Sequence, residues 1–323
     1  MRQLLVLVLC CLSTMFSMKP MDAQLPVNKG GAAPDTLVVL KVDQSPVTMD
    51  ELGWHINRLR TQCRIYFERC YGAYGGTDYW VHDFGGERPA QWLIAEALDR
   101  LLQDHARLKL MKKWGVMPTF SFSHFKAQFV REQDIRQHQL AAGKVIYGNR
   151  SFSKTAYYDD LLSKGFLETR RRWLAAHRPE DTVLKQLYRE CRERAFKHPP
   201  TIEVRVEKRG RSGNSTQEDL RFFPQHRKAD ELLYPSIFAR LDQLTPDGRW
   251  TAPFEDEQGD VCRLKCLHIK DNGYIAYQEV KTNLMNLYAT AVLQHEEAEI
   301  KRNIVVQIDS LALNTVRSRF FRL

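Results

Sequence analysis

Apolar residues change their spacing across Asp181 to Lys208. Val183, Leu187, Cys191 and Ala195 recur every fourth position, which places them on one helix face, with Tyr188 and Phe196 flanking the stripe. Pro199 and Pro200 cannot continue a helix. Beyond them Ile202, Val204 and Val206 alternate with Glu203, Arg205 and Glu207, the period of a strand. The chain therefore passes here from a helical part to a sheet part.

The same reading extends in both directions. Thr36 to Val42 is rich in branched residues and predicts a strand, and Asp43 to Pro46 predicts a turn. Thr48 with Glu51 three residues on is a capping box, opening a helix over Met49–Tyr71 with Leu52, Ile56, Leu59 and Cys63 on its face. Gly72 to Gly86 predicts an ordered loop pinned by Tyr79, Trp80 and Phe84. Pro89 starts a long helix marked by Trp92, Ala95, Leu98, Leu102, Ala106 and Leu110, which Gly115 stops. Further helices are expected over 123–142, 154–164, 167–176, 228–241 and 276–302. The 228–241 helix would share Leu232, Leu233, Ile237 and Leu241 on one face; the last would share Val280, Leu284, Leu287, Tyr288 and Ala291. Leu220–Phe223, Val261–Lys270 and the alternating Ile304, Val306 and Ile308 predict strands.

Composition narrows the classes. With 43% apolar residues, 323 positions suffice for one large or two modest cores. The net charge of +9 suits an acidic partner, an anionic membrane surface or solubility alone. It is not gathered into one polybasic run, and Arg170-Arg171-Arg172 reads as a solvated helix face, so nucleic acid is not expected. Arg2 followed by the apolar run Leu4–Leu12 and a cleavage point near Ala23 reads as a secretory signal. A lipoprotein signal at Cys10 or Cys11 and an uncleaved anchor remain alternatives. Past the signal stand Cys63, Cys70, Cys191, Cys262 and Cys266, an odd number with no Cys-x-x-Cys spacing, so buried or reduced thiols are expected and zinc is not.

Leu184, Tyr188, Phe196 and Pro199, leading into an alternating strand, resemble the junction of secreted SurA- and PrsA-type chaperones. Tyr66-Phe67 with Gly72, Tyr79-Trp80, Phe84-Gly85-Gly86 with Pro89 and Trp92-Leu93, Ala97-Leu98 with Leu101, and Trp114-Gly115-Val116 are similar to SurA-like proteins that lack an isomerase domain. Ile237-Phe238, Thr245 to Gly248, Trp250 with Pro253-Phe254, and Gly259-Asp260-Val261 resemble the second half of a parvulin domain. The resemblance implies a mainly α, α+β fold. In it, a SurA-like helical module would be closed by N- and C-terminal strands and carry a small, truncated parvulin-like insert. The implied divisions are a signal over 1–23, a lead-in over 24–35, a helical peptide-binding domain over 36–198, a reduced parvulin-like domain over 199–275, and a returning segment over 276–323. Strand 303–309 would pair with strand 36–42.

The expected chemistry is correspondingly spare. Parvulins use paired histidines. The first position here falls in Glu203–Glu207 and the second near Asp260, Val261 and Cys262, with no histidine at either; only Cys266 and His268 remain nearby. Catalysis is therefore not expected, no residue is assigned a catalytic role, and no cofactor is implied. The resemblance implies binding of unfolded segments of exported proteins in the periplasm or at the cell surface. The candidate aromatic and apolar residues for it are Trp54, Tyr66, Phe67, Tyr74, Tyr79, Trp80, Phe84, Met111 and Trp114. A divergent prolyl isomerase and a dedicated subunit of an envelope complex are the competing readings; peripheral contact with an anionic membrane is compatible with the charge.

Overall fold

The computed structural model describes residues 35–118, 120–145, 151–210 and 213–321. The expected signal over 1–23 lies outside these residues, as does all of the expected lead-in but Asp35. In chain order the elements are β1 (Val38–Val42), β2 (Ser45–Thr48), α1 (Met49–Tyr71), α2 (Pro89–Lys113), α3 (Phe122–Ala141), α4 (Lys154–Ala176) and α5 (Asp181–Ala195). There follow β3 (Thr201–Arg209), β4 (Ser215–Phe222), α6 (Arg227–Leu233), α7 (Pro235–Phe238), β5 (Phe254–Glu255), β6 (Val261–Lys270), α8 (Tyr277–Arg302), β7 (Val306–Ile308) and α9 (Ser310–Phe321). The fold is α+β and mainly helical, with two small antiparallel sheets. Contacts divide the described residues into one unit of 35–178 with 287–321 and a second of 179–286; α5 belongs to the second.

In the first unit the sheet order is β2-β1-β7. The hairpin between β1 and β2 turns on Asp43 and Gln44, both at positive φ (46° and 76°), as two-residue primed turns require. This replaces the longer turn expected over 43–46: Ser45 and Pro46 already pair in β2. The returning segment does pair with the first strand, Leu40 with Ile308 and Val42 with Val306. Asp43 ties the two ends further, donating from its N–H to Val305 O (2.9 Å) and accepting from Val305 N–H on Oδ1 (2.8 Å).

Thr48 caps α1 as expected, its hydroxyl accepting from Glu51 N–H at 3.4 Å. The reciprocal half of the box is absent, because the Glu51 carboxylate turns inward to His105. Gly72 ends the helix at φ 65°, its N–H donating to Glu68 O. The core beneath holds Val39, Leu40, Val42, Leu52, Ile56, Phe67, Leu93 and Leu101. Glu297 of α8 is buried and accepts from Gln103 and from Arg107 of α2 (Arg107 Nε at 3.1 Å), so a carboxylate inside the unit is compensated.

Three helix expectations need correction as well. The helices expected over 154–164 and 167–176 are one helix, α4, because Gly165 is a packing device and not a break. A Cβ there would lie 1.9 Å from Met111 Cε, so its absence lets α2 and α4 approach. Gly165→Val is expected to lower stability by about 1–3 kcal/mol through overpacking. Urea unfolding of that variant, of Met111→Ala and of the pair checks this, the double variant losing less than the sum. The helix expected over 228–241 is broken by Pro235, with Tyr234 before it forced off helical angles (φ −134°, ψ 52°). Its supposed apolar face splits accordingly: Ile237 and Leu241 are buried, Leu232 and Leu233 exposed. In α8 the buried positions are Val280, Leu284, Ala289 and Leu293, so the stripe drifts by one residue from that expected, and Leu287 is exposed.

In the second unit the sheet order is β4-β3-β6-β5. Ile202, Val204, Val206, Phe222, Cys262 and Leu264 supply its buried face, covered by Ile237, Leu241 and Phe254. Leu184 of α5 is buried; Asp181 at its start accepts from Tyr277 Oη at 2.6 Å and pairs with Lys281 at 2.7 Å.

Candidate functional site

Most of the aromatic residues expected at a binding surface are structural. Phe67 and Met111 have no exposed surface and Tyr79 is buried, so none of them can meet a partner in this conformation. Tyr66 is half-buried, stacked on Trp92 at 5.0 Å, its hydroxyl donating to Glu87. Phe84 packs on Phe67. Trp80 lies between the Arg60 guanidinium and Phe321, where it holds the C-terminal helix α9. Trp54 packs among Phe122, Phe125 and Tyr158, and Trp114 packs beside His177. Tyr74 alone stands out, 84% exposed, on the 72–88 loop. The nine residues do not converge on one surface.

A groove forms instead where α3 projects from the unit. Only Phe122 and Phe125, in its first turn, are buried; most of the helix beyond Val130 is exposed. Gln133 fastens the loop before α4 to α3, donating to Phe152 O (3.0 Å) and accepting from Phe152 N–H (3.3 Å). The space between is an open groove of about 430 Å³. Val116, Met117, Phe152, Tyr157 and Leu161 form its apolar lining. Its charged rim is already paired: Glu132 with Arg136 (2.7 Å), Asp160 with Lys164 (2.7 Å), and Glu168 with Arg171 and Arg172. The two arginines bonded to Glu168 hold its carboxyl down to about 2. Arg172 in turn donates to Trp114 O and Gly115 O, fixing the end of α2 beside the groove. Such a lining can take apolar side chains of an extended segment, and it sits within the volume range of ligand pockets, about 300–1,000 Å³. None of its lining residues was among the nine candidates. The aromatic pair Phe152 and Tyr157, on either side of the start of α4, is the sequence signal that marks it.

The sheet of the second unit offers less. β3 pairs directly with β4 as far as Arg209 opposite Ser215, and the Gly210 N–H donates to Asn214 O. The register slips by one between β3 and β6 so that Glu203 pairs with His268 and Val204 with Cys266, leaving Leu267 as the extra residue. Cys266 thus lies buried on the inner face while His268 is exposed beside Glu203, and the two do not form a pair. Burial pushes the Cys266 thiol up, and pushes that of Cys262 up to about 11. A small cleft of about 40 Å³ beside α6 and α7 is lined by Pro200, Ile202, Phe222 and Phe238, with no histidine or cysteine in its lining. Among the described residues Cys63, Cys70, Cys191, Cys262 and Cys266 are all free, and there is no group of three or more metal-ligating side chains. No described helix is long and apolar enough to cross a membrane.

No protein-family model matches the sequence, and no curated protein matches it. Among solved structures the chain is similar to one from a study of two SurA-like chaperones of the human pathogen Campylobacter jejuni, the virulence factor PEB4 and the periplasmic protein Cj1289. That likeness covers 84% of this chain and 99% of the other, at 12% identity and a TM-score of 0.31. It is similar also to the foldase protein PrsA from Streptococcus pneumoniae, over 75% of this chain and 92% of that one, at 10% identity and a TM-score of 0.20. Both describe a distant likeness of fold with SurA-like chaperones and PrsA foldases.

Proposed function

We propose that this protein is an exported, foldase-like chaperone that holds apolar segments of unfolded polypeptides in the groove between α3 and α4, without isomerase chemistry. The observation that carries the reading is that open groove, apolar within and with its rim charges paired to one another. Such a surface has no fixed polar pattern to impose, so capture is weak and tolerant of sequence, and needs no cofactor. The secretory pattern of residues 1–23 supports the exported location. The separation of Cys266 from His268 on opposite faces of the sheet supports the absence of isomerase chemistry.

Suppression of aggregation of a heat-unfolded client enzyme tests the reading. Leu161→Glu combined with Met117→Glu places carboxylates in the apolar lining and is expected to weaken capture about tenfold, the equivalent of 1.4 kcal/mol. The far-UV circular dichroism should be unchanged. Wild-type capture by a properly folded double variant would sink the groove as the site. A proline-peptide isomerisation assay is expected to show no acceleration; acceleration lost on His268→Ala would overturn the second half of the proposal.

A further inference from the structure

Beside the groove, α1, α2 and α4 enclose a set of ionisable side chains that client binding does not use. His55 and Asp104 are both 2% exposed and Glu51 is 7% exposed. His105 Nε2 lies 3.0 Å from Glu51 Oε1. Arg100 reaches Asp104 at 3.5 Å, and the Tyr158 hydroxyl faces Asp104. Arg58 of α1 is the tie to α4, its Nη2 bonding both carboxylate oxygens of Asp159 at 2.7 and 2.9 Å. Three buried polar atoms of this set, His55 Nδ1, Arg58 Nη1 and Asp104 Oδ2, have no hydrogen-bond partner among the described residues, although the Arg58 guanidinium lies over the Trp54 ring at 4.5 Å. Buried polar atoms are ordinarily satisfied, and three exceptions in one place mark a packing that is held at a cost.

We propose that this cluster is an acid-operated latch: a proton taken up at His55 loosens α4 from α1 and widens the groove. The groups facing His55 set the direction. Arg58, on its own helix, is the strongest of the nearby charges, and His105 and Arg100 add to it from α2. Glu51 and Asp104 are the acids of the set, and Asp159 is engaged by Arg58. A cation at His55 would therefore repel Arg58, the arginine that bridges α1 to α4. The neighbouring Trp54 carries the disturbance outward, since its ring lies 4.8 Å from His55 and 4.5 Å from Tyr158 of α4, and also packs on Phe122 and Phe125 of α3. Six of the groove's lining residues lie on α4.

The linkage has a definite sign. Burial, with the neighbouring Arg58, His105 and Arg100, lowers His55 to about 3 in the closed form, against 6.5 when it is exposed. Well above pH 6.5 neither form holds the proton, and the closed form keeps its full advantage. Below it only the open form binds the proton, so the open-to-closed ratio rises about tenfold per pH unit until pH approaches 3. Asp104 works against this at the acid end, because burial raises its carboxyl and lets the closed form take a proton first.

Hydrogen–deuterium exchange of the full chain, corrected for intrinsic rate, tests the latch. Protection of residues 154–176 should fall by about 50-fold between pH 6.5 and 4.5 relative to the strands β3 and β6, with far-UV dichroism retained. In His55→Leu that fall should vanish. An equal fall in the variant, or none in the wild type, overturns the proposal. Should His55→Leu not fold, the wild-type imidazole resonance decides: His55 titrating near 6.5 with α4 fully protected also overturns it. The consequence for binding rests on the function proposed above. Protection that falls while client capture at pH 5 stays flat would leave the latch standing and count against that function.

Discussion

A chain ended at Asn303 is expected to lose the fold of its first unit. That cut removes β7 and α9. β1 loses its partner on one side, together with the pairs Leu40–Ile308, Lys41–Gln307 and Val42–Val306. Val316 and Phe321 are buried, and the Phe320 ring sits over Gly53, where a Cβ would lie 2.2 Å from its Cζ. Burying one valine or phenylalanine side chain is worth about 1.5–3 kcal/mol. Three such anchors together approach the whole stability of a domain, about 5–15 kcal/mol. Phe321 leaving Trp80 also frees Arg60, whose Nη2 donates to Phe320 O at 2.5 Å. Thermal melting by circular dichroism should show the cooperative transition of the first unit gone in the truncated chain. A truncated chain that melts within a few degrees of the full one would show the closing strand and helix to be ornaments.

The resemblance reading anticipated this closure, but periodicity alone did not anticipate its final helix. In hindsight α9 has a start signal, for Asp309 Oδ1 accepts from the Leu311 and Ala312 N–H groups, and Ala312, Val316 and Phe320 share a helical spacing. The exposed Leu311 blurred that pattern by adding an apolar residue on the wrong face. Elements with hard local punctuation were legible to the residue: α1 between Thr48 and Gly72, α2 from Pro89, and β6 after Gly259. What depended on a neighbouring element was not. Gly165 looks like a helix breaker until Met111 is seen packed on it. Strict alternation would put Cys266 and His268 on one face of β6, and only the slip against β3 separates them. The groove was hidden for the same reason. It is made by how α3 projects and how Phe152 is pinned, while the aromatic residues that stood out in the sequence were drawn into the core by their size.

Phe67 shows that division most sharply. It is fully buried and touches Tyr66, Tyr71, Tyr79, Phe84 and Trp92 at ring-centroid distances of 5.2–6.3 Å. These residues come from α1, from the loop that follows it and from the start of α2, so one ring joins three segments. Phe67→Ala is expected to cost about 3–5 kcal/mol, the usual range for emptying a phenylalanine site. That corresponds to a fall in Tm on the order of 10 °C for a unit of this size. Tyr74→Ala, on the exposed tip of the same loop, should leave stability within about 0.5 kcal/mol of the wild type. Urea denaturation of the two variants checks both. If these aromatics formed a binding surface instead of a core, the order would differ: Phe67→Ala would keep its stability and lose client capture. The packing requires a destabilised protein, and under the function proposed above its surviving folded fraction would keep its capture of clients, since Phe67 does not line the groove between α3 and α4.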